Sequence, residues 1–534
     1  MILGQSSPQN TALLAKGARS TLDDLFRRAG ARRPDAIALV DPPNRADVTG
    51  GEPRRLTYAQ ADRMISAVAE RLRRLGLGTD QIVALQMANT VDTVVTLLGI
   101  LRAGMIATPL PLLWRQADCV AALDRIGARA LIVNGRIGAV DHCMLAMHVA
   151  ADVFHIRQVC GFGDDLPEGV TSLDDLYEVE LPDRSAAIVR DLNPSAHVAV
   201  ITWDVCAEGL IPVPRSHFEL LAAAAAVTLE SRIEHNATIL SALALPSLAG
   251  LALSIGPWLL VGGTLALHHP FDDMAFQQQC RGERPDFVVL PGPLAMRFGA
   301  AGALTRRDGI KTVIAVWRAP ERLAASQAWG DGAVGIIDVP VFGETGLIAT
   351  HRGSSGRPAP IAIGAVTAPR GAAGALQVAE IARTAAGTLA MRGALVPKFP
   401  LPSEVDHVGK PAIAIGADGF ADTGYPCTLD AAAKTLTIVG APAGIVGVGG
   451  YRFGLRALAD TAAGAEPGSS VTVRPDGLGG VRLAGTAADR EGVREALAQK
   501  GVNALVVEAF GDMPDRGHDA TTDRPHERER RTGS

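Results

Sequence analysis

The length, composition and charge of the chain exclude several classes of protein. Its 534 residues correspond to three or four folding units at roughly 150 residues per domain. Hydrophobic residues make up 48% and charged residues 20%, which is enough apolar material for large cores and excludes a disordered or collagen-like chain. The 51 basic and 56 acidic side chains give a formal net charge of −5, and no basic stripe indicates a nucleic-acid partner.

Cysteine usage and hydrophobic runs give expectations about compartment and membrane association. The six cysteines form no C-x-x-C pair and have no histidine at metal-ligand spacing, so we expect no disulfide framework, no metal site and a cytoplasmic location. Residues 1–20 lack the pattern of a secretory signal. The uncharged run 236–267 is long enough to span a membrane, but Pro246, Pro257 and several glycines interrupt it. We therefore expect a buried helix, a turn and a buried strand there, and no membrane span.

Short apolar strands and helices alternate along most of the chain. Ser20 and Thr21 predict a helix start with two acids in its first turn. Thr57 and Gln60 predict a capping box at the start of the next helix, and Asn89 is expected to cap a third. This alternation is typical of parallel sheets that are covered by helices.

The pattern changes toward the C-terminus. Residues 346–399 contain short β segments rich in Gly, Pro and Ala, which predict a small β-barrel or a twisted sheet. Residues 444–512 predict a small α+β lobe, and the charged residues 513–534 predict a disordered tail. The predicted fold class is therefore α/β. We expect an extension over residues 1–19, then a large domain over residues 20–440, and then the small lobe. The large domain is expected to contain two helix-covered, mostly parallel sheets and the small β-barrel.

Five segments resemble, in order, conserved stretches of the AMP-forming adenylating family, which includes acyl-CoA synthetases, peptide-synthetase adenylation domains and luciferases. They are residues 56–110, VPRSH at 213–217, FGETG at 342–346, DGFADTGY at 418–425 and a hinge-like segment at 436–453. The resemblance implies that a carboxylate reacts with ATP and Mg²⁺ to give an acyl-adenylate, from which a thiol, usually coenzyme A, takes the acyl group. That chemistry needs cations near the phosphates and a flexible loop whose N–H groups approach them.

The segment that resembles the phosphate loop departs from the family pattern. Without gaps, the family's lysine falls on Ile211 and its loop glycine on Glu208; a one-residue gap places that glycine on Gly209. Bulky side chains and two acids, Asp204 and Glu208, replace the glycine-rich cradle. A Cβ restricts positive φ and blocks close backbone approach to phosphate. We therefore expect ATP to bind weakly or not at all.

The other motifs depart in a similar way. The family's metal-binding glutamate falls on Gly346, where Glu344 could substitute for it, and its ribose-binding aspartate falls on Tyr425, three residues after Asp422. The hinge arginine and aspartate of the family fall on Ala441 and Gly444. The family's C-terminal lysine is expected near residues 505–525, but no lysine follows Lys500. The remaining candidates for nucleotide binding are Thr202, Gly209, Arg215, Ser216, His217, Phe342, Gly343, Glu344, Thr345, Asp422 and Tyr425.

Several of these features also have simple structural interpretations. Ser216 or His217 could only cap the alanine-rich helix that follows. The pair His268-His269 lacks a third metal ligand, and adjacent side chains on a strand point to opposite faces. Cys206 has no neighbouring lysine that would favour a reactive thiolate.

The framework glycines and apolar positions are retained while the ATP-handling residues are mostly replaced. Our hypothesis is an acyl-CoA synthetase-like protein of low or lost adenylating activity, which binds an acyl or carboxylate ligand or a protein partner such as an active paralogue. The alternative is a working ATP-dependent carboxylate–CoA ligase whose nucleotide site is rebuilt around Arg215, Glu344 and Asp422. ATP, Mg²⁺ and coenzyme A are implied by the resemblance alone. The sequence contains no Ser-His-Asp spacing that would indicate thioester hydrolysis. The aromatic content of 4% favours an aliphatic ligand.

Overall fold

The structure, a computed structural model, describes residues 19–177, 188, 190, 193–330, 333–370, 374–401, 410–476 and 480–511. Apart from Arg19, the predicted N-terminal extension lies outside the described residues, and so does the predicted disordered tail. The proposed domain limits at residues 440 and 444 stay predictions.

The strands alternate with helices through the first two thirds of the chain. The first eighteen strands are β1 (Ile37–Val40), β2 (Arg55–Thr57), β3 (Ile82–Gln86), β4 (Ile106–Pro109), β5 (Ala130–Asn134), β6 (Arg136–Ile137), β7 (Val140–Asp141), β8 (Gln158–Phe162), β9 (Thr171–Ser172), β10 (Val198–Cys206), β11 (Gly209–Ser216), β12 (Thr238–Ser241), β13 (Thr264–Leu267), β14 (Phe287–Pro291), β15 (Thr312–Trp317), β16 (Gly335–Phe342), β17 (Gly346–Leu347) and β18 (Thr350–His351). The later strands are β19 (Ile361–Ala362), β20 (Gly364–Ala368), β21 (Leu376–Arg383), β22 (Thr388–Gly393), β23 (Ala421–Asp430), β24 (Thr435–Ile438), β25 (Ile445–Val448), β26 (Tyr451–Gly454), β27 (Ser470–Asp476) and β28 (Gly480–Thr486).

The helices connect and cover these strands. They are α1 (Leu22–Arg32), α2 (Arg45–Thr49), α3 (Tyr58–Arg74), α4 (Val91–Arg102), α5 (Gln116–Ile126), α6 (His142–Asp152), α7 (His217–Glu230), α8 (Leu248–Gly250), α9 (Gly256–Val261), α10 (Asp273–Glu283), α11 (Gly292–Ala300), α12 (Leu455–Ala463), α13 (Arg490–Gln499) and α14 (Ala504–Glu508). A π-helical turn, Leu251–Ile255, joins α8 to α9.

Two mostly parallel sheets form the large lobe, as the sequence predicts. The first has the strand order β17-β16-β15-β14-β12-β13-β1-β2, with β18 beside β16, and is parallel from β16 to β1. The second has the order β11-β10-β4-β3-β5-β8-β9 and is antiparallel only between β10 and β11. Every residue of β3 and β5 is buried, as expected for parallel strands that are covered on both faces.

The third sheet and the small lobe are antiparallel. The sequence predicts either a small barrel or a twisted sheet here. The described strands form a six-stranded sheet whose two edge strands, β19 and β20, do not pair with each other, so the described strands do not close into a barrel. The small lobe contains the hairpins β25–β26 and β27–β28 together with α12, α13 and α14. The apolar segment 504–510 contributes the helix α14.

Local capping signals predict helix starts well. Thr21 accepts a hydrogen bond from the Asp24 N–H at 3.1 Å, and Thr57 accepts one from the Gln60 N–H at 3.2 Å; both boxes are reciprocal. The prediction for Asn89 is wrong, because Thr90 precedes α4 and the Asn89 side-chain amide donates to the Leu243 carbonyl at 3.0 Å.

The long uncharged run folds into buried elements. The predicted helix, turn and strand are present as residues 248–267, preceded by β12. Trp258 and Tyr58 stack with ring centroids 6.2 Å apart, and both donate to the Gly263 carbonyl, at 3.1 and 2.8 Å. In the part of the chain that the structure describes, no helix is both long and apolar enough to cross a bilayer.

A buried ion pair supports the edge of the first sheet. Arg352 donates to both carboxylate oxygens of Asp338, at 2.7 and 3.0 Å, and Trp317 donates to the same carboxylate at 2.8 Å. The two charged side chains are 2% and 0% exposed. Removal of the arginine would leave a buried, uncompensated carboxylate next to Trp317.

We expect Arg352→Ala to lower the free energy of unfolding by about 3 to 5 kcal/mol, as for other broken buried ion pairs. Chemical denaturation of the full chain measures the loss. Arg357→Ala, on the exposed part of the same loop, is the matched control and should change stability by less than about 0.5 kcal/mol. Equal effects of the two substitutions would contradict a stabilising role for the pair.

Candidate functional site

A cavity of about 630 Å³ lies between the large and small lobes. Its walls include residues that follow the carboxyl ends of β12, β13, β14, β15 and β16, together with the small-lobe hairpin β25–β26. Ligands of open parallel sheets bind at this edge, and the volume is within the usual range for small-molecule sites. We therefore take this cavity as the candidate functional site.

The segment that resembles the phosphate loop forms one wall of the cavity as a tight hairpin. Strands β10 and β11 pair continuously from Thr202–Val213 to Cys206–Gly209, and only Ala207 and Glu208 form the turn. Successive N–H groups of an extended strand point in opposite directions, whereas a phosphate nest needs successive N–H groups that converge. The backbone geometry of this hairpin therefore differs from that of an anion-binding loop.

The carboxylate of Asp204 joins this hairpin to two other segments. It accepts hydrogen bonds from the N–H groups of Glu344 and Val205, both at 2.7 Å. It also forms an ion pair with Arg452 of β26, and both side chains are largely buried. Gly343 has φ +56°, and a Cβ there would clash with both partners of the ion pair. Asp204, one of the two acids that replace the glycine-rich cradle, thus holds the small lobe on the large one.

Two predicted site residues, Arg215 and Glu344, are buried and bonded to the backbone. Arg215 is fully buried and donates to the carbonyls of Leu395, at 2.9 Å, and Glu344. The Glu344 carboxylate accepts from the Leu248 N–H at 2.7 Å, and burial raises the pKa of Glu344 above its ordinary value. Arg215 lies behind the cavity wall and supports the turn that carries Glu344.

Ser216 and His217 begin α7, as their structural interpretation predicts. Ser216 accepts from the Glu219 N–H at 3.2 Å, and the Glu219 carboxylate accepts from the Ser216 N–H at 2.9 Å. His217 Nδ1 accepts from the Leu22 N–H at 3.3 Å, and burial lowers the pKa of His217 to about 3. Neither side chain lines the cavity.

The remaining candidates are divided between the cavity, the core and the surface. Thr202 is buried in the hairpin, and Thr345 closes the turn after β16. The rings of Phe342 and Tyr425 meet edge to face at 5.5 Å inside the core. Asp422 is exposed and accepts from the Gly424 N–H at 2.9 Å. The predicted residues that line the cavity are Gly209, Gly343 and Glu344.

The cavity wall contains three arginines that were not predicted from the sequence. Arg318 follows β15, Arg322 lies one turn later, and Arg452 comes from the small lobe. The cavity wall therefore carries cations, although the phosphate-loop-like segment lacks the family's lysine. Arg318 is half-buried and makes no hydrogen bond to another described residue, while its charge faces Glu344 and Tyr451. Its position after the apolar strand KTVIAVW, at the carboxyl edge of the sheet, was the signal that could have identified it.

Comparisons with known proteins identify the family. Residues 26–345 match the model of the AMP-binding enzyme family, and the chain belongs to that family. Human long-chain fatty acid transport protein 1 is 26% identical over 267 residues, which are 49% of this chain and 39% of that protein. Nonribosomal peptide synthetase kk1B of Curvularia clavata is 31% identical over 142 residues, which are 27% of this chain and 1% of that protein. These matches therefore cover well under half of each curated relative.

Solved structures share the fold over most of the chain. The amide bond synthetase McbA from Marinactinospora thermotolerans has a TM-score of 0.66 at 18% identity, covering 90% of this chain and 94% of that one. MbtA from Mycobacterium smegmatis has a TM-score of 0.63 at 20% identity, covering 94% and 93%. The two-lobed adenylate-forming architecture is thus present in this chain.

We expect Arg452→Ala to loosen the contact between the lobes, because it removes a charge-assisted hydrogen bond worth about 1.5 to 3 kcal/mol. Hydrogen exchange of residues 445–454 should become about ten- to hundredfold faster. Arg456→Ala, which removes only the exposed pair with Asp460, is the control and should leave this exchange unchanged. Unaltered protection in Arg452→Ala would argue against the ion pair as the fastening contact.

Proposed function

We propose that this AMP-binding family member has low or lost adenylating activity and binds a carboxylate with an apolar chain in the cavity between its lobes. The observation that carries the proposal is the closed hairpin β10–β11 in the place of a phosphate loop. A triphosphate would need several convergent N–H donors there, and the paired, extended backbone supplies none in that arrangement.

The residues present fit a magnesium–nucleotide complex poorly. The acids on the cavity wall are Asp118, Asp204 and Glu344. Asp204 is neutralised by Arg452, and the Glu344 carboxylate is buried against the Leu248 N–H. Burial raises the pKa of Asp118 to about 6, which weakens it as a metal ligand near neutral pH. We therefore derive no reaction step through ATP or Mg²⁺.

A carboxylate with an apolar chain fits the same cavity better. Much of the wall is apolar, with contributions from Leu243, Phe271, Pro293 and Leu294. Arg318 supplies a guanidinium that has no hydrogen-bond partner among the described residues, and a carboxylate accepts such a donor pair in bidentate geometry. The name of the human relative, which refers to long-chain fatty acids, supports a ligand of this class.

One observation favours the alternative of a working ATP-dependent carboxylate–CoA ligase. Arg318, Arg322 and Arg452 all line the cavity, and cations in this number could balance phosphate charge. In that case the nucleotide site would be built from guanidinium groups of both lobes instead of backbone N–H groups.

Calorimetry with the full chain separates the two functions. We expect saturable binding of decanoate and no binding of ATP–Mg²⁺ at concentrations up to about 1 mM, because a hairpin without convergent donors gives little affinity for phosphate. Pyrophosphate release with decanoate, ATP and coenzyme A should stay at background. Micromolar ATP binding together with carboxylate-dependent pyrophosphate release would support the ligase and contradict our proposal.

We expect Arg318→Ala to weaken decanoate binding by about ten- to hundredfold, the usual effect of losing a hydrogen-bonded charge partner. Arg318→Lys should recover part of the affinity, since the charge remains but the bidentate fork is lost. Arg307→Ala, which removes an exposed arginine outside the cavity, is the matched control. Equal affinities in Arg318→Ala and Arg307→Ala would show that Arg318 does not bind the carboxylate.

A further inference from the structure

The strand β28 of the small lobe has an edge without a partner strand. It pairs with β27, with Ser470 opposite Thr486 and Asp476 opposite Gly480, and within the described residues these two strands form a sheet of their own. Antiparallel pairing uses the N–H and carbonyl groups of every second residue and leaves the others on the outer edge. The outer edge of β28 is therefore a row of backbone groups whose partners must come from outside the hairpin.

One contact identifies the residues of this outer edge. The Gly485 N–H points away from β27 and donates to the Ala509 carbonyl at 2.7 Å. Because the ladder alternates, Leu483 and Val481 present their N–H and carbonyl groups on the same edge. These groups make no hydrogen bond to any residue that the structure describes. An unpaired edge of this kind can accept another strand.

The opposite edge of the hairpin is protected by a proline. Pro475 of β27 lies opposite Val481, so its ring nitrogen is on the outer edge of β27 and has no N–H to donate. Sheets commonly protect their edges with proline or with a bulge, but β28 contains no proline and the register of the hairpin is continuous. Of the two edges, that of β28 is the one suited to the addition of a strand.

A cavity of about 510 Å³ lies beside the open edge. Its wall is formed by residues 482–487 of β28 and the turn after it, together with Leu505 and Ala509 at α14. Among the described residues, none lines both this cavity and the one between the lobes. The cavity therefore offers space for an extended segment beside β28, apart from the candidate functional site.

The charges at this cavity favour an acidic segment. Arg474 and Arg482 are directly opposite in register, so their side chains lie on one face of the hairpin and repel each other. Neither forms an ion pair or a hydrogen bond with another described residue. Arg490 also lines the cavity, and the acid on the described wall, Glu508, is paired with Arg494 at 3.3 Å. Carboxylates of an added strand would compensate the arginines.

We propose that the outer edge of β28 is a docking site for an extended, acidic segment of a partner protein, which adds to the hairpin as a third strand. Hydrogen bonds with the backbone of Val481 and Leu483 supply affinity, and carboxylates beside the arginines supply specificity. This inference goes beyond the proposed function, because it concerns a different surface and needs no ligand between the lobes.

Fluorescence anisotropy with the full chain tests the docking site. The probe is a fluorescent peptide of the sequence Glu-Val-Glu-Val-Glu-Val-Glu. We expect saturable binding that is about tenfold tighter than for the same peptide with lysine in place of glutamate, because several ion pairs change together. The acidic peptide N-methylated at every residue should bind about tenfold more weakly, since it keeps its charges but cannot donate backbone hydrogen bonds.

Paired variants connect binding to the edge and to its charge. Val481→Pro removes an edge N–H without breaking a bond to β27 and should weaken binding about tenfold, whereas Val473→Pro makes the same change on the edge of β27 and should leave binding unchanged. Arg482→Glu should also weaken binding about tenfold. Arg456→Glu, at an exposed position outside the cavity, is its control. Thermal unfolding verifies that each variant is folded.

The possible results separate this site from other occupants of the edge. Weaker binding in Val481→Pro and Arg482→Glu, with normal binding in both controls, supports the assignment. Absence of peptide binding, or equal binding of the N-methylated or the lysine peptide, overturns it. If light scattering shows a dimer that Val481→Pro dissociates, a second copy occupies the edge and the acidic partner is wrong. Decanoate binding is measured separately, so failure here leaves the proposed function standing.

Discussion

The organisation of the cavity depends on the carboxylate of Asp204. It accepts hydrogen bonds from N–H groups of the turn after β16 and of its own strand. It also forms an ion pair with Arg452 of the small lobe. One buried charge thus joins three segments, and its counter-charge is Arg452 of the protein itself. An incoming phosphate would meet a carboxylate at this point, and competition for Arg452 would separate contacts that hold the lobes together. The same group that fastens the structure therefore disfavours a highly anionic ligand.

Residues that resemble a nucleotide motif have structural roles around this carboxylate. Arg215 supports the Glu344 carbonyl, and Ser216 caps α7 in a reciprocal box with Glu219. These contacts need the residue types that are present, because a buried guanidinium and a capping hydroxyl each satisfy backbone groups. Arg215 and Ser216 thus each have a structural role, so their presence is not by itself evidence for nucleotide binding.

Sequence patterns predicted the contacts between residues that are close in the chain. They did not predict the contacts that form only where distant strands come together. The predicted capping box at Thr57 and the predicted cap at Ser216 or His217 both depend on contacts between residues three positions apart, so the local patterns were sufficient. Asn89 was misassigned because its partner, the Leu243 carbonyl, is distant in sequence. The hairpin β10–β11 was expected to be a loop because the segment resembles the phosphate loop of the family. Arg318 and Arg452 were missed because only the sheet edge and the docking of the small lobe bring them to one cavity.

The number of arginines does not by itself define the ligand. Three guanidinium groups line the cavity, but Arg452 is already paired with Asp204, and the pocket also contains Asp118 and Glu344. A carboxylate carries one charge and needs one planar donor pair, which Arg318 can supply. A triphosphate carries several charges along its length and needs convergent donors that the extended hairpin cannot form. Geometry of the donors, more than the count of cations, therefore favours a singly charged ligand with an apolar chain.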